Sequence, residues 1–533
     1  MRASPARLAG LLVAIFVLLA GSAMLHTSTT YDEIVFPAVG ARGMATGDFM
    51  MVNDHPRLAQ YVYGLPLIAA GVKLPPEDVV RWSWSTRYQY AKTVYWASGN
   101  SGDQVAILSR LVGLAFGALT VLATFLLARH HMPPGAALFA AALVAFTPDM
   151  LAHSGVSYND VPVTFAILVG AYALDAMVRR PGARNGAIAG VAFSLAALLK
   201  YSGLILLPIL AVLLALETWT RWKDATWRTG IVRAAGAMVA VVYLAIALAY
   251  GGDWHLGTYF AGIAELSRPT LTEGMDAFLL GERREGGWWY FFPVAFLLKT
   301  SVGLHVLALS ALAAGAAGAS GGAWRAWVRH PARAPAVGVA LLLAAMLAAR
   351  MNIGTRHALP AVPFACILIA QGVAWWWARG PRAGRVAVAL AFVAVVASPL
   401  RHYPFFLSYL SEYALGRPSY EVLVDSNTDW GQGLVALRQY MRDNGLEEVA
   451  LGYFGTAVPW GYGIRYARLP SFVTLLYGGV PDDSRPRYAV VSATLLAGMY
   501  VKGDPYRSMR QEKPVAILGG SLYVFDTRAS RKP

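Results

Sequence analysis

Residues 8–36 read LAGLLVAIFVLLAGSAMLHTSTTYDEIVF, in which an apolar run ends and two adjacent acids, Asp32 and Glu33, follow within a few residues. An apolar run of about 20 residues has the length of an α-helix that crosses the hydrocarbon core of a bilayer. The whole chain has a matching composition, because 57% of its 533 residues are hydrophobic and only 14% are charged. Soluble domains carry about 25% charged residues. The sequence therefore predicts an integral membrane protein, with the two acids at a membrane surface.

The net charge and the cysteine count limit the classes of protein further. The chain has a formal net charge of +15 and one cysteine, Cys366, which lies inside an apolar segment. A single cysteine excludes an internal disulfide framework and a thiolate metal cluster. In a soluble protein the positive charge would suggest nucleic acid. Here the basic residues lie beside apolar runs, where they set orientation in a membrane, so we expect no nucleic-acid partner.

Ten more apolar runs predict a mostly α-helical, polytopic protein with about eleven transmembrane helices. The predicted spans cover residues 8–26, 105–128, 135–148, 161–178, 186–199, 203–218, 231–250, 289–316, 335–350, 358–378 and 385–400. The fifth and sixth runs, on either side of Lys200, form either two spans or one broken span. The first run could also be a cleaved signal peptide, but its apolar core is long for a signal and we expect it to be retained.

Basic clusters give the orientation of these spans. They comprise Arg2 and Arg7; Arg179, Arg180 and Arg184; Arg221, Lys223 and Arg228; Arg325, Arg329 and Arg333; and Arg379, Arg382 and Arg385. All of them fall on one side of the predicted spans, and the positive-inside rule makes that side the cytoplasm. We therefore expect a cytoplasmic N-terminus and an extracytoplasmic C-terminal region.

The chain divides into a transmembrane domain, residues 1–400, and a polar tail, residues 401–533. The transmembrane domain carries two long outer loops, 27–104 and 251–288. Strand-like patterns in the tail are YEVLVDS (420–426), EEVALGYFG (447–455) and RYAVVSA (487–493), with an amphipathic helix at 431–445 and a hairpin at 515–526. The tail is therefore predicted to be a small extracytoplasmic α/β domain.

Acids beside the apolar runs are candidate functional residues, because ionisable groups are costly at membrane depth. Asp32 or Glu33 could take a proton from an acceptor hydroxyl, or could cap the helix that follows. Asp160, in SYNDVP, stands at the outer mouth of a predicted span. Helix capping is the alternative for this aspartate as well.

Four further candidates lie in the outer loop and the tail. Asp54 and His55 precede a proline in NDHPRL, a pattern that also suits a capped amphipathic helix. Asp429 and Trp430, in DSNTDWGQ, could contact a sugar or an acceptor. A structural turn and helix cap is the alternative that we favour for this second pair.

Cations form the second set of candidates. Lys200 and Lys299 lie in apolar stretches, and Arg356 and His357 stand at the outer start of a span in NIGTRHALP. Snorkelling accounts for Lys200, but Lys299 is so deep that it requires a partner. Together these groups could hold an anionic headgroup, and phosphate suits them because it accepts several charge-assisted bonds. Each cation taken alone could be an interfacial anchor.

These pieces resemble a known family when they are taken in order. The chain resembles the membrane glycosyltransferases of the GT-C fold, in the bacterial branch related to protein O-mannosyltransferases and the aminoarabinose transferase of lipid A (glycosyltransferase family 39-like). The matching pieces are YDE (31–33), NDHPRL (53–58), SYNDVPVTF (157–165), LLKYSGLILLP (198–208), GGWWYFFPVAFLLKT (286–300), NIGTRHALPAVPF (352–364) and DSNTDWGQGLVALRQYM (425–441). One departure is Arg57, which stands where many relatives carry a second proline.

The resemblance implies a hexosyltransferase of the cell envelope, in the bacterial cytoplasmic membrane. It implies a polyprenyl-phosphate sugar as donor, with mannose as the family-weighted sugar, and a protein, lipid or glycan hydroxyl as acceptor at the outer face. Asp32 would be the catalytic base or its organiser, with Glu33 beside it. Asp160 would contribute to the site, and Arg356 and His357 would hold the phosphate. One displacement would invert the anomeric centre. We predict no cofactor, although some relatives bind a divalent metal.

Two other classes of protein remain as alternatives. A membrane transporter would place polar residues along a path through the membrane, whereas the candidates here gather at one face. A non-catalytic membrane scaffold with an outer binding domain would leave the deep Lys299 unexplained. An enzyme predicts that Asp32, Asp160 and Arg356 line one outward-facing cavity.

Overall fold

The structure, a computed structural model, describes residues 4–76, 84–268, 275–318, 328, 330, 332–471 and 486–528. The first half of its helices are α1 (Pro5–Met24), α2 (Val35–Thr46), α3 (Arg57–Ala69), α4 (Trp84–Lys92), α5 (Gly102–Ala128), α6 (Pro134–Ala145), α7 (Pro148–Ser154), α8 (Asp160–Arg179), α9 (Ala183–Leu199) and α10 (Leu206–Arg221). The others are α11 (Ala225–Ala249), α12 (Gly257–Arg268), α13 (Phe291–Lys299), α14 (Val302–Gly318), α15 (Arg333–Ala348), α16 (Ala361–Arg379), α17 (Arg382–Leu400), α18 (Leu434–Asp443) and α19 (Ala493–Leu496).

Every predicted apolar run corresponds to a helix or a bent pair of helices. Within the described residues, seven helices are long and apolar enough to cross a membrane, namely α1, α5, α8, α10 with its preceding turn, α11, α16 and α17. The pairs α6–α7 and α13–α14 pass the same test together and are bent by 64° and 117°. Two shorter apolar helices, α9 and α15, complete the set. The protein is therefore a multi-pass, mostly helical membrane protein, and the count of eleven spans stays a prediction.

Local sequence explains where these helices break. Pro148 begins α7, and a residue before proline is disfavoured in the helical region, so α6 ends just before it. Helices α9 and α10 are separate, because Lys200 is extended (φ −158°, ψ 140°) and a 3₁₀ turn, Tyr201–Ile205, follows it. Of the basic residues used for orientation, Arg2, Arg325 and Arg329 lie outside the described residues.

The tail carries a five-stranded sheet. The strands of the chain are β1 (Asp276–Leu279), β2 (Glu282–Glu285), β3 (Val449–Gly452), β4 (Tyr466–Arg468), β5 (Tyr488–Ser492), β6 (Ala516–Leu518) and β7 (Leu522–Asp526). The sheet order is β4-β3-β5-β7-β6. β3 pairs in parallel with β4 and β5, and β7 pairs antiparallel with β5 and β6. With α18, this sheet is the α/β region expected from the sequence, whereas the hairpin β1–β2 and the strand β4 were not predicted.

One predicted strand is wrong. YEVLVDS (420–426) forms two 3₁₀ turns, Ser419–Glu421 and Asp425–Asn427, rather than a strand. Val422 and Leu423 are buried in the same hydrophobic core as the membrane helices. The run is therefore apolar because it packs against the helices on which the tail rests, and not because it lies in a sheet.

Lys299 fixes the tail to the membrane helices. Its ammonium is fully buried and donates to the carbonyl oxygens of Leu407 (2.9 Å), Tyr409 (3.0 Å) and Asn427 (2.6 Å). The carboxylate of Asp149 lies 3.2 Å away. The partner that a deep lysine requires is therefore present, and the ammonium is saturated by contacts that hold 407–427 in place.

Replacing Lys299 by methionine tests this role. We expect Lys299→Met to destabilise the protein by about 3 kcal/mol, because it leaves the charge of Asp149 buried without its partner. The thermal unfolding midpoint of the purified protein in detergent measures the effect. Lys502→Met, at an exposed lysine of the tail, is the matched control. Equal midpoints for the two variants would contradict the assignment, and adding Asp149→Leu should restore part of the loss.

Candidate active site

A cavity of about 330 Å³ lies where the outer-loop segments meet the ends of α8 and α9. Its polar and aromatic lining comprises Asp32, Asp54, His55, Arg87, Tyr88, Tyr158, Lys200, Tyr201, Ser202, Arg356 and His357. Its apolar lining includes Val35, Phe36, Val52, Pro56, Leu266, Met275, Met351 and Ile353. The cavity thus collects residues from eight segments that are separate in the sequence, at one end of the helical region.

Close packing of α2 against α3 brings two of these pieces together. A Cβ atom on Gly40 would lie 2.0 Å from the carbonyl oxygen of Gln60, and one on Gly64 would lie 2.4 Å from the amide nitrogen of Ala41. Only glycine permits such contact between two backbones. Asp32 precedes α2 and Asp54 precedes α3, so this contact places both acids at the same cavity wall.

Asp32 is held by a tyrosine and an arginine. The Tyr88 hydroxyl donates to Asp32 Oδ1 (2.9 Å), and Arg356 Nη2 donates to Asp32 Oδ2 (3.2 Å). The Asp32 side chain keeps 19% of its surface exposed. No side-chain capping bond from this residue is present at the start of α2. The carboxylate is therefore oriented beside a cation while one part of it remains accessible.

Arg356 is buried between the two acids and two aromatic rings. Its guanidinium lies 4.2 Å from the ring centre of Trp430 and 5.0 Å from that of Tyr158. Its Nε donates to Ser426 Oγ (3.2 Å), and its Nη1 lies 3.5 Å from Asp160 Oδ2. Burial opposes its charge, but Asp160 and then Asp32 raise the pKa of Arg356 above its ordinary value. The arginine is thus a fixed positive charge.

Asp160 was expected to line the cavity, but it does not, and it lies behind two residues that do, Lys200 and Arg356. It is buried at the first position of α8, where Asn159 rather than Asp160 is the N-cap residue. The Lys200 ammonium donates to Asp160 Oδ1. Both cations that contact Asp160, Lys200 and Arg356, line the cavity. Asp160 therefore positions these cations, and it is not a helix cap.

Asp54 and His55 also line the cavity. Arg87 Nη1 donates to both oxygens of Asp54, at 2.8 and 3.0 Å. His55 Nε2 lies 3.0 Å from the Tyr158 hydroxyl. Burial lowers the pKa of His55, although the neighbouring Asp54 carboxylate raises it. His55 is therefore a neutral imidazole at neutral pH.

His357 is the second imidazole of the cavity. Burial, followed by the charges of Lys200 and Arg356, lowers the pKa of His357 well below 6.5. Its Nε2 is buried and forms no hydrogen bond with the part of the chain that the structure describes. Arg356 Nη1 shares this property. Two buried nitrogens beside the cavity thus form no hydrogen bond with the described residues. Buried polar groups ordinarily have a hydrogen-bond partner.

Glu33 does not reach the cavity. Its side chain is fully buried and pairs with Arg110, whose Nε donates to Glu33 Oε1 (2.6 Å) and whose Nη2 donates to Oε2 (3.1 Å). The Thr30 amide donates to Oε2 (2.8 Å) and that of Ser157 to Oε1 (3.3 Å). These contacts fix the turn that carries Asp32. Like Lys299, Glu33 lies outside the cavity with its polar atoms fully used.

Asp429 and Trp430 lie in the tail, behind Arg356. The Thr494 amide donates to Asp429 Oδ2 (2.8 Å), and burial raises the pKa of Asp429 to about 7. Trp430 is buried, its carbonyl oxygen accepts from the Tyr31 amide (2.8 Å), and its ring faces Arg356. Neither residue lines the cavity. Neither caps α18, whose N-cap residue is Gly433 and which has no side-chain capping bond.

Four residues near the site were not chosen as candidates from the sequence. They are Arg87, Tyr88, Tyr158 and Arg110. Arg87 and Tyr88 belong to the aromatic stretch 81–96. The sequence shows that this stretch is rich in aromatic residues but does not show which of its side chains face the cavity. Arg110 was hidden inside an apolar span, where an arginine is itself a signal of a buried partner. Within the described residues, no group of three His, Cys, Asp or Glu side chains could hold a metal ion.

Comparisons with known proteins agree with this architecture. Residues 9–260 match the family model described as dolichyl-phosphate-mannose-protein mannosyltransferase. ArnT from Cupriavidus metallidurans in the apo state is 15% identical, with 98% of each chain covered and a TM-score of 0.51. The same protein bound to undecaprenyl phosphate is 13% identical over 98% of each chain, with a TM-score of 0.49.

A third solved structure is AglB from Archaeoglobus fulgidus, in complex with an inhibitory peptide and a dolichol-phosphate. It is 13% identical, with 98% of this chain and 75% of that chain covered and a TM-score of 0.46. No curated protein matches the chain. The likeness to ArnT in the apo state shows that the chain has the GT-C fold. The fold that the sequence motifs implied is thereby confirmed, and residues 9–260 carry the match to the mannosyltransferase model.

The buried pair of Glu33 and Arg110 generates a stability prediction. We expect Glu33→Gln to destabilise the protein by about 3 kcal/mol, because it leaves the Arg110 guanidinium buried beside a neutral amide. Thermal unfolding in detergent measures the change. Glu421→Gln is the control, since it breaks an exposed pair with Arg417 and should cost about 0.5 kcal/mol or less. If Glu33→Gln were as stable as the control, the pair of Glu33 and Arg110 would not stabilise the turn that carries Asp32.

The raised pKa of Asp429 predicts a pH dependence of stability. Folding raises this pKa from 3.8 to about 7, so the folded state binds the proton more tightly than the unfolded state. The contribution is complete below pH 3.8 and is lost as the pH rises through about 7. Asp429→Asn should therefore flatten the dependence of the unfolding midpoint on pH across this window. Asp443→Asn, on the exposed face of α18, should leave the dependence unchanged, and equal pH profiles would refute the assignment.

Proposed function

We propose that the protein is an inverting glycosyltransferase that moves a sugar from a polyprenyl-phosphate donor to an acceptor hydroxyl. The observation that carries this proposal is the meeting of Asp32 and Arg356, 3.2 Å apart, in one cavity with Lys200 and His357. A base for the nucleophile and cations for a leaving phosphate are the two requirements of this reaction. Both are satisfied at one end of a bundle of apolar helices.

Asp32 is the base in this proposal. Its carboxylate lies beside the cavity, partly exposed, with Tyr88 and Arg356 fixing its two oxygens. A base must lie within hydrogen-bond reach of the proton that it removes, and an acceptor hydroxyl in the cavity could reach Asp32. Asp54 and Arg87, on the same wall, would contact the acceptor or the sugar.

The leaving phosphate would be held by Arg356, Lys200 and His357. Arg356 Nη1 and His357 Nε2 form no hydrogen bond with other described residues. A phosphate oxygen would accept a hydrogen bond from Arg356 Nη1, and a second phosphate oxygen would bond His357 Nε2. Lys200 is fixed by Asp160, so its position is set before the donor binds. Leu266, Met275, Met351 and Ile353 form an apolar part of the lining, which suits the first isoprene units of the donor.

The reaction would be a single displacement. The acceptor oxygen forms a bond to the anomeric carbon as its proton passes to Asp32. The bond from that carbon to the phosphate oxygen breaks, and its electron pair leaves with the lipid phosphate. Arg356 and Lys200 neutralise the negative charge that develops there. Attack opposite the leaving group inverts the anomeric centre.

The family match supports the donor, the sugar and the acceptor class. The matching model is described by a dolichyl-phosphate-mannose donor and a protein acceptor. We therefore propose a polyprenyl-phosphate-linked hexose, with mannose as the first sugar to test, and a protein hydroxyl ahead of a lipid or glycan. Following the positive-inside rule, we propose that the cavity and the tail face the outside of a bacterial cytoplasmic membrane. We propose no metal for the reaction.

Replacing Asp32 by asparagine tests the proposal. Asp32→Asn should lower the rate of sugar transfer by about 10²- to 10⁴-fold, the contribution of a general base, because an amide does not accept the proton. The measurement uses purified protein with radiolabelled polyprenyl-phosphate sugars and acceptor peptides, and identifies the labelled product. Donors that differ in their sugar are compared in parallel.

The control variant is Asp103→Asn, at an exposed aspartate outside the cavity. It should transfer sugar at the unaltered rate and unfold at the temperature of the original protein. Asp32→Asn should be less stable, because Arg356 loses one of its two acids, but should still be folded at the assay temperature. Full transfer by a folded Asp32→Asn protein would refute the role of this residue as the base. Transfer from none of the donors by the unaltered protein would refute the proposed function.

A further inference from the structure

A second cavity lies at the far end of α8 from the candidate active site. Helix α8 has 20 residues, so its two ends are about 29 Å apart. The cavity is an open cleft of about 860 Å³ between α5, α8 and α10. It shares no lining residue with the first cavity, and the proposed reaction makes no use of it.

The wall of this cleft changes from apolar to cationic along α8. Val169, Ala173 and Ala176 line it, and Arg180 follows at the same helical spacing. Residues three or four apart lie on one face of a helix, so these four form one stripe about 16 Å long. Leu127, on α5, adds a second apolar surface. The cleft is thus apolar toward the middle of the helices and charged at their end.

Positive charge exceeds negative charge at the charged end. Asp175 and Glu217 line the cleft, and the fully buried Arg333 contacts both of them at 2.6 Å. Arg179 Nε lies 2.7 Å from Asp175, and Arg221 Nε lies 3.3 Å from Glu217. Two carboxylates are therefore paired with three arginines. Arg180, which also lines the cleft, is a fourth positive charge. The surplus of cations indicates an anionic ligand.

Arg179 and Arg180 have unused donors. Arg179 Nη2 is buried and forms no hydrogen bond with the described residues. No salt bridge of Arg180 occurs within the described ranges. Thr220 and His130 also line this end of the cleft, so hydroxyl and imidazole groups accompany the guanidinium groups. Such a set suits phosphate oxygens, which accept several bonds from arginine at once.

We propose that this cleft binds an anionic phospholipid of the membrane leaflet opposite the candidate active site. Its phosphate would contact Arg179, Arg180 and Arg221, and one acyl chain would follow the stripe Val169, Ala173 and Ala176. The apolar stripe favours a lipid over free phosphate, which would use only the charged end. The site is independent of the proposed sugar transfer.

Lipid binding to delipidated protein tests the site. Native mass spectrometry in detergent measures the dissociation constants of phosphatidylglycerol and phosphatidylcholine, and inorganic phosphate is added as a competitor. Arg180→Gln should weaken phosphatidylglycerol binding about fivefold, the value of about 1 kcal/mol for one arginine near a membrane surface. Phosphatidylcholine binding should not change, and Arg180→Lys should retain most of the affinity for phosphatidylglycerol.

Two further variants separate this site from general attraction. Arg385→Gln removes an exposed arginine of α17 outside the cleft and should not change either dissociation constant. Ala176→Trp fills the apolar stripe without changing charge and should weaken both lipids. Equal effects of Arg180→Gln and Arg385→Gln would overturn the proposal. So would unaltered binding to Ala176→Trp, or complete displacement of the lipid by millimolar phosphate, which would indicate a site for the free anion.

Discussion

The site depends on one buried positive charge, that of Arg356. An arginine in this position is costly unless its charge is compensated, and Asp32 and Asp160 compensate it from two directions. Trp430 and Ser426 of the tail hold its plane and its Nε. Because these four partners come from distant parts of the chain, the position of Arg356 depends on the tail as well as on the helices.

The need to compensate a buried charge also explains the other buried ionisable residues of the protein. Lys299 meets Asp149, and Glu33 meets Arg110, each away from solvent. Lys299, Glu33 and Arg110 also bond backbone groups of neighbouring segments, so each pair also fixes a turn or a loop. Deep ionisable residues in a membrane protein are therefore of two kinds. Some have all their polar atoms bonded within the fold. Others, such as His357, retain a buried atom beside a cavity that forms no hydrogen bond with the residues that the structure describes.

The sequence predicted which residue types form the cavity better than which individual residues line it. Asp32, Asp54, His55, Lys200, Arg356 and His357 all line the cavity, as cation and acid motifs of the outer face suggested. Glu33 and Lys299 had the same appearance in the sequence but lie outside it. The side chains of adjacent residues in a turn point in different directions. The motif YDE therefore does not predict whether Asp32 or Glu33 faces the cavity. Contacts with Arg110 and Tyr88 decide between them.

The sequence by itself determined the membrane fold, because the length and apolarity of its runs leave the backbone few alternatives to helices in lipid. It also supplied the family resemblance and the set of ionisable residues. Tertiary structure decided which of these residues meet, where the helices bend, and that 420–426 packs as turns on the helices instead of pairing in a sheet. The reason is that hydropathy acts along the chain, whereas the compensation of a buried charge depends on partners up to hundreds of residues away.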